Sequence, residues 1–437
     1  MARRHPLRAP IQHGTRVARH PLARVAKLLV AAVAVIAVSG GSVAAIAAWE
    51  ISSMIRPGAH LVHLNGSAAA DGIPDVGAIG GGVNLLLTGP DTRTGQGGVY
   101  GSKAELAGSS GAGNNDVTML LHIAENHKSM SVISFPRDLM VAVPACPRDG
   151  GGTTPSTRRA MLNTTLARGG LPCVALTIEK LTGLQIPFAA EISFDGVIAM
   201  SNAVGGVTVC LATPVNDLYT TPPLHLAAGQ QTLIGEQALS FVRSRHGVGD
   251  GSDLGRISNQ QVFMSALARK VESGSVLSNP LLLFSLAKAA TTNMVLSDTL
   301  TNPTTLMQIA LALKTTGLAN MVFLQYPTIP DPIDPNRVAP LASAAKALNA
   351  ALVADQPLKL SGLPGRAAGL AAGVATPAPI AATPSPSDAA KPGSGAHSSA
   401  AASAPSIAAT SGNVVLPSTV TGQTADEQTC THGFSGK

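Results

Sequence analysis

The chain has 437 residues, of which 3% are aromatic and 12% charged, and this length allows one large domain with appendages. The net charge of +6 would suit a nucleic-acid-binding surface if it were spread over a fold, but seven basic residues lie within the first 27 positions, with no acidic residue among them. The charge therefore belongs to a short basic arm, and we expect no nucleic-acid partner.

An uncharged apolar stretch, Leu28 to Trp49, follows the basic arm directly. As a helix it would span roughly 33 Å, enough to cross a bilayer. The basic flank should stay in the cytoplasm. We therefore predict a cytoplasmic segment at 1–27 and a single-pass anchor in the cell membrane at 28–49, with the rest of the chain outside the cytoplasm. The alternative is a cleaved signal peptide, because Ala45 to Ala47 resembles a cleavage site.

Four cysteines fit an extracytoplasmic location, where disulfides form and persist. Cys146 and Cys173 flank a segment rich in Gly, Thr and Arg, and we predict a bridge that closes this loop. Unpaired buried thiols are the alternative. Cys210 and Cys430 would be the remaining pair, but the sequence does not fix their connectivity.

The middle of the chain shows the patterns of a folded α/β domain. A Gly/Ala-rich stalk at 50–80 is followed by apolar runs, which predict strands at Val83 to Thr88, Asp116 to Ile123 and Met130 to Phe135. Helical patterns follow near 159–168, 172–182, 194–203, 254–274, 281–293, 303–315 and 338–353, broken by short runs at Val207 to Leu211 and Asn320 to Gln325. Interleaved strands and helices indicate a layered α/β domain over 81–354.

The last part of the chain, 355–437, is rich in Ala, Pro, Ser, Gly and Thr. From about Leu363 it has almost no apolar bulk to offset the entropy of ordering. We predict a flexible, disordered low-complexity tail.

Acidic residues stand beside the ends of predicted strands. Asp91 follows the first strand and Asp116 opens the second. An open α/β sheet binds its ligand at strand ends, and Mg²⁺ prefers a few carboxylates together with phosphate oxygens and water. The two residues are candidate ligands of one metal ion, although each could equally be a turn or helix-cap residue.

Basic residues follow the third strand, at Arg137, and cluster again later in the chain. Arg243 and Arg245 lie two apart, and in an extended segment they would point the same way. Arg256 and Gln260 are spaced i,i+4 and would share a helix face. Guanidinium groups bind phosphate oxygens bidentately, so the cluster predicts a pyrophosphate site. A solvated surface with ion pairs is the alternative.

Together these segments resemble the LytR-CpsA-Psr family in order and spacing. The matching stretches are Asn84 to Arg93, Asn115 to Asp138, Leu162-Asn163 with Gly169-Gly170, Asp195 to Gly206 and Gly235 to Gln261. The resemblance implies a three-layer α-β-α fold with a central mixed sheet and a long apolar pocket for a polyprenyl chain. It also implies transfer of a phospho-glycopolymer from a polyprenyl-pyrophosphate carrier to a muramic-acid hydroxyl of peptidoglycan, forming a phosphodiester with the help of Mg²⁺ or Mn²⁺.

The resemblance also assigns roles to individual residues. Asp91 and Asp116 would hold the metal and, with Arg137, Arg243 and Arg245, form the catalytic set. The pyrophosphate would be bound by Arg93, Arg137, Arg159, Arg243, Arg245, Arg256 and Gln260. This sequence has Asn114, Met161 and Asn259 where the family often has basic residues, and Arg159 or Arg168 could compensate.

Two other activities are compatible with the same residues. A pyrophosphatase or phosphodiesterase would use water in place of the glycan hydroxyl, and a lipid-binding or wall-binding protein would bind without turnover. The high content of Ala and Arg suggests an actinobacterial wall, with arabinogalactan or a teichoic-type polymer as the transferred glycan.

Overall fold

The computed structural model describes residues 57–69, 82–94, 113–148, 150–273, 279–371 and 413–435, together with Lys27, Val30, Gln96, 98–103, Leu106 and Val276. Residues 1–53 and 54–437 form separate compact units. The predicted anchor at 28–49 lies outside the described residues, except for Val30. None of the helices within the described ranges combines the length and the apolar character needed to cross a bilayer.

The second unit contains strands and helices in alternation. The strands are Val83–Pro90 (β1), Asn115–Ile123 (β2), Met130–Phe135 (β3), Met140–Val143 (β4), Cys146–Pro147 (β5), Thr153–Thr154 (β6), Thr157–Met161 (β7), Phe188–Ile192 (β8), Val207–Leu211 (β9), Val215–Asp217 (β10), Leu224–Leu226 (β11), Gly229–Leu233 (β12), Met294–Leu296 (β13), Met321–Gln325 (β14), Thr328–Pro330 (β15), Val338–Pro340 (β16), Leu358–Lys359 (β17), Ala368–Leu370 (β18), Val414–Val415 (β19), Gly422–Thr424 (β20) and Thr429–Thr431 (β21). The α-helices are Thr165–Thr182 (α1), Phe194–Ala203 (α2), Glu236–Arg243 (α3), Asp253–Glu272 (α4), Pro280–Asn293 (α5), Pro303–Thr316 (α6) and Ala342–Val353 (α7).

A seven-stranded mixed sheet forms the centre, in the order β13-β8-β1-β2-β3-β14-β20. Strands β8, β1, β3 and β14 are parallel to one another, whereas β13, β2 and β20 run antiparallel to their neighbours. Since β2 reverses direction between β1 and β3, its amino end lies beside their carboxyl ends. Asp91, Asp116 and Arg137, which flank these strand ends, therefore lie at the same end of the sheet.

Helices cover both faces of the sheet, because successive side chains along each strand point to opposite faces. Leu86 and Ile133 belong to a core that includes Val174 of α1 and Leu348 of α7. A second core on the other face contains Met119, and α4 and α6 pack there. The expected α/β domain with a central mixed sheet is confirmed.

Two predicted helices begin later than expected. The segment 159–168 starts inside β7, which pairs with β4, and its helix begins only at Thr165. The segment 338–353 starts with β16, which pairs with β15, before α7 begins at Ala342. Hydrogen bonds to a neighbouring strand outweigh local helical patterning at both places.

The predicted stalk at 50–80 is part of the fold over its described residues, 57–69. Leu61 is buried in the core against α1 and α7, and His63 Nδ1 lies 2.5 Å from Glu179 Oε1 on α1. This Glu179 carboxylate also accepts hydrogen bonds from the backbone N–H groups of Leu64 and Ile186. The segment therefore packs as a structural element before the first strand.

The fold also continues beyond Ala354, where the sequence predicted its end. Strand β20 joins the edge of the central sheet beside β14, and β21 pairs with β9. The prediction of a flexible, disordered tail over the whole of 355–437 is therefore wrong for 355–371 and 413–435. Residues 372–412 lie outside the described part of the chain.

Both disulfides are formed. Cys146 of β5 is bonded to Cys173 of α1, as the sequence predicted. Cys210 of β9 is bonded to Cys430 of β21, which fixes the C-terminal strand covalently to the domain. The alternative of unpaired thiols is wrong, because no cysteine is free.

Candidate active site

The candidate site lies where β1 and β3 end and β2 begins. Asp91 directly follows β1, Asp116 is the second residue of β2, and Arg137 lies two residues beyond β3. The pairing of β1 with β2 shifts register between Gly89 and Pro90. Such an irregularity turns the chain away from the ladder and is frequent beside functional sites.

Two arginines from different elements converge on Asp116. Arg137 Nη1 lies 2.9 Å from Asp116 Oδ2, and Arg256 Nη1 lies 3.4 Å from the same oxygen. Arg256 Nη2 also donates to the backbone carbonyl of Asp116 at 2.9 Å. Arg256 comes from the first turn of α4, so this helix brings the second cation to the sheet edge.

Asp253 is a further carboxylate of this cluster, which the sequence analysis did not assign to the site. Its Oδ1 lies 2.6 Å from Arg256 Nη2 and 3.6 Å from Arg137 Nε. Burial lowers the pKa of Arg137, but its carboxylate neighbours, Asp116 foremost, raise it by more. Arg137 therefore stays charged. The i,i+3 spacing of Asp253 and Arg256 at the start of a helix is the sequence feature that could have indicated this contact.

Two outer ion pairs border the cluster. Arg337 Nη1 lies 2.9 Å from Asp138 Oδ1, and Asp138 in turn lies 3.7 Å from Arg137 Nε. Arg159, assigned to pyrophosphate by resemblance, is paired with the buried carboxylate of Asp331. The hydrogen bond from Arg159 lowers the pKa of Asp331 to about 2. In this structure the guanidinium group of Arg159 therefore forms an ion pair with a carboxylate of the same chain.

Arg243 lies in an aromatic pocket that the sequence did not reveal. Its guanidinium carbon is 4.2 Å from the ring centroid of Phe194 and 5.5 Å from that of Tyr100. Burial lowers the pKa of Arg243, and the charge of Arg93 lowers it further, whereas Tyr100 and then Asp116 raise it. Arg93 and Asp116 are therefore electrostatic neighbours of Arg243. Its Nη1 is buried and has no hydrogen-bond partner among the described residues.

The prediction that Arg243 and Arg245 lie in an extended segment and point the same way is wrong. Arg243 is the last residue of α3, so the two-residue alternation of an extended strand does not apply. Arg245 Nε donates to the carbonyl of Gly251 at 3.2 Å. The backbone N–H of Arg245 donates to Asp217, which holds the turn after α3. Arg243 faces aromatic rings, whereas Arg245 supports the loop that leads into α4.

Gln260 and its neighbour Asn259 hold the end of α3. Gln260 Nε2 donates to the carbonyl of Val242 at 2.9 Å, and Asn259 Nδ2 donates to that of Phe241 at 2.7 Å. Carbonyls at a helix end have no partner within the helix. The two amides satisfy such groups, so they position the helix turn that carries Arg243. Gln260 and Arg256 are both buried on α4.

Asp91 lies beside the start of β2. Its Oδ1 accepts from the backbone N–H of Asn114 at 2.7 Å, and its own N–H donates to the Asn114 carbonyl at 2.9 Å. This double contact brings Asp91 to the segment that carries Asp116, although Asp91 and Asn114 are 23 positions apart in the sequence. No group of three or more His, Cys, Asp or Glu side chains within the described ranges has the arrangement of a metal site. Two carboxylates with hard oxygen donors still fit Mg²⁺, which takes its other ligands from phosphate and water.

Arg168 makes its hydrogen bonds outside the Asp116 cluster. Its Nη2 donates to the carbonyl of Pro155 and to Thr157 Oγ1, both at 2.9 Å. Asn114 and Met161 stand at two positions where the family often has basic residues. The backbone N–H of Asn114 donates a hydrogen bond to Asp91, and Met161 is the last residue of β7. The third, Asn259, serves the end of α3.

Proteins with similar sequences have names that refer to the synthesis of the cell wall. The chain is 32% identical over 250 residues to the cell wall biosynthesis protein LcpA of Corynebacterium glutamicum, covering 52% of this chain and 47% of that one. It is 30% identical over 198 residues to a polyisoprenyl-teichoic acid–peptidoglycan teichoic acid transferase, TagU, of Bacillus mycoides, covering 45% and 55%. The chain thus spans about half the length of the curated relatives it matches.

A solved structure of a LytR-Csp2A-Psr enzyme from Actinomyces oris aligns with 68% of this chain and 96% of its own, with a TM-score of 0.48 and 21% identity. The model of the LytR_cpsA_psr family matches residues 62–344, which include the sheet edge, both arginine-bearing helices and the aromatic pocket. The chain belongs to the LytR-CpsA-Psr family.

Proposed function

We propose that this protein transfers a phospho-glycopolymer from a polyprenyl-pyrophosphate carrier to a hydroxyl group of peptidoglycan. The observation that carries the proposal is the convergence of Arg137 and Arg256 on Asp116, with Arg243 as an electrostatic neighbour. Arg256 is buried, and Asp116, Arg137 and Arg243 are half-buried. Removing such charges from water costs free energy, so a contribution to stability alone does not account for the cluster. Such clusters are typical of functional sites. The names of the relatives support a wall glycopolymer, such as teichoic acid, as the transferred group.

The reaction exchanges the phosphoanhydride bond of the pyrophosphate for a phosphodiester bond to the acceptor hydroxyl. The acceptor oxygen forms a bond to the phosphorus that carries the glycan, while the bond from that phosphorus to the bridging oxygen breaks. The hydroxyl proton passes to a base, and the polyprenyl phosphate leaves with the bridging electrons. Arg137 and Arg256 are placed to stabilise charge on the departing phosphate, because preorganised donors act most strongly where charge develops.

Asp91 and Asp116 are the residues that would hold Mg²⁺ or Mn²⁺. When bound, the ion would neutralise charge on the pyrophosphate oxygens. The hydrogen bond from the backbone N–H of Asn114 to Asp91 then has a direct role, because it holds Asp91 against the segment that leads into Asp116. Arg137 and Arg256 hold Asp116 Oδ2 in a fixed orientation.

We also propose that the protein is anchored by residues 28–49 with its domain outside the cytoplasm. The two disulfides support an oxidising location. The basic flank before residue 28 supports a cytoplasmic amino end. Protease added to intact protoplasts should remove the domain, and protection of the domain would contradict this placement.

The activity is tested with the full chain in detergent micelles and a labelled polyprenyl-pyrophosphate-linked glycan. We expect polyprenyl phosphate to be released only when a peptidoglycan oligomer is added, with the glycan recovered as a phosphodiester of that oligomer. Equal release without an acceptor would indicate a pyrophosphatase or phosphodiesterase. Binding of the donor without release would indicate a lipid-binding or wall-binding protein.

A further inference from the structure

A cavity of about 740 Å³ lies beside the Asp116 cluster, on the α1 face of the sheet. Its lining residues include Arg148, Arg168 and Glu191, together with Gly169 and Gly170. Neither arginine belongs to the ion-pair cluster around Asp116. Cavities of this volume are typical of sites for small organic ligands.

Two contacts place this cavity next to the site. Thr165 Oγ1 and the backbone N–H of Leu166, which lines the cavity, both donate to Asn115 Oδ1 at 3.2 and 3.1 Å. Asn115 directly precedes Asp116. On the other side, Glu191 is paired in register with Thr88, three residues before Asp91. The cavity and the acidic residues therefore meet at the same edge of the sheet.

A break in helix α1 forms one wall of the cavity. Gly169 and Gly170 have non-helical backbone angles, and Gly170 has a φ of 63°. A Cβ atom at Gly169 would lie 2.5 Å from the carbonyl oxygen of Pro147 and 2.9 Å from Cys146 Cβ. Only glycine permits this close approach. The disulfide from Cys146 to Cys173 holds the two walls together.

The lining is polar and carries unused hydrogen-bonding capacity. Arg168 is fixed through Nη2, while its Nε is buried and has no hydrogen-bond partner in the described part of the chain. Burial raises the pKa of Glu191, which is half-buried. The hydroxyl of Thr88, on the same face as Glu191, is fully buried and likewise lacks a partner among the described residues. Two cations and a carboxyl group suit a polar anionic ligand rather than an apolar lipid chain.

We propose that this cavity binds the acceptor, a muropeptide whose peptide carboxylates pair with Arg148 and Arg168 while Glu191 hydrogen-bonds its sugar hydroxyl or amide groups. The inference rests on the proposed transfer to peptidoglycan and assigns the acceptor side of that site. Guanidinium groups recognise carboxylates bidentately, and the half-buried carboxyl group of Glu191 can accept hydrogen bonds from hydroxyl and amide groups. The acceptor then approaches the sheet edge from the α1 face.

The test measures equilibrium binding of a soluble disaccharide-pentapeptide to the full chain by calorimetry. We expect the Arg148→Ala/Arg168→Ala double variant to weaken binding at least tenfold and Glu191→Gln to weaken it several-fold. Removing the peptide carboxylates from the probe should weaken binding to the parent by a similar factor. Arg158→Ala is the matched control, because this arginine is exposed on β7 outside the cavity.

Binding of a polyprenyl-pyrophosphate glycan is measured with the same variants, and their melting temperatures verify folding. Unchanged muropeptide affinity in the double variant would overturn the inference. Weakened donor binding with unchanged muropeptide affinity would also overturn it, because the cavity would then hold the donor. The proposed function is judged separately, by turnover of the parent with peptidoglycan. If the parent turns over but does not bind the muropeptide in this cavity, only the assignment of the cavity is wrong, and the proposed function stands.

Discussion

Thr431 Oγ1 donates a 2.8 Å hydrogen bond to Asn259 Oδ1, and both residues are completely buried. Asn259 in turn donates to the carbonyl of Phe241, two residues before Arg243. The C-terminal strand β21 is thereby connected, through one side chain of α4, to the helix end that carries a candidate catalytic arginine. A segment predicted to be a flexible tail thus takes part in building the site.

Replacement of Thr431 by Val should destabilise the protein by about 1–3 kcal/mol, because the oxygen of Asn259 is left buried without a donor. Val keeps the β-branched shape that a strand prefers. Denaturant unfolding measures the change. Thr208→Val on β9 is the control, since its hydroxyl bonds to Thr232 at an exposed position. Equal small effects in both variants would contradict a structural role for Thr431.

Loss of the bridge between Cys210 and Cys430 should lower the free energy of unfolding by roughly 2–5 kcal/mol, because the bridge closes a long loop in the unfolded chain. The double variant Cys210→Ser/Cys430→Ser is compared with the parent by denaturant unfolding under non-reducing conditions. We also expect faster proteolysis of 413–435 in the variant. Parent-like stability and protection would show that the strand pairing alone holds the segment.

Arg243→Ala should lower the single-turnover rate with a labelled lipid-linked donor by roughly 10²–10³, the usual effect of removing one preorganised donor. Arg243→Lys should restore little, because an ammonium group cannot stack on Phe194 as a planar guanidinium does. Arg366→Ala, at an exposed ion pair with Asp250, is the control and should turn over like the parent. Normal turnover of Arg243→Ala with an unchanged melting curve would remove Arg243 from the catalytic set.

Asp91→Asn should raise the concentration of Mg²⁺ needed for half-maximal turnover, or abolish turnover, because the charge is lost. The amide oxygen can still accept the hydrogen bond from Asn114, so the fold should be retained. Asp426→Asn, at an exposed carboxylate, should leave the metal requirement unchanged. Unaltered metal dependence in both Asp91→Asn and Asp116→Asn would contradict a shared ion.

The pairing of Arg159 with Asp331 should stabilise the protein in a defined pH range. The pKa of Asp331 is about 2 in the fold and about 3.9 in an unfolded chain, so the unfolded state binds more protons between these values. The contribution is complete above about pH 4 and is lost as the pH falls toward 2. The difference in unfolding midpoint between the parent and Asp331→Asn should shrink over that interval. A difference independent of pH would contradict the assigned shift.

The sequence by itself determined strands β1, β2 and β3 and the residue types of the site. Apolar runs bounded by turn residues located β1, β2 and β3, because strand burial leaves a local signature. The acidic and basic residues at their ends followed from the chemistry of strand edges. The spacing of Cys146 and Cys173 around one loop was also sufficient to predict their bridge.

Only the tertiary structure decided which charged side chains contact one another and how far along the chain the folded domain extends. The pairing of Asp116 with Arg256 joins residues 140 positions apart, and no local pattern encodes such a contact. The aromatic pocket of Arg243 arises because α3 ends beside Phe194 and Tyr100. The polar, small-residue composition of 413–435 hid its order, because that order comes from β-pairing and a disulfide to distant strands rather than from apolar bulk.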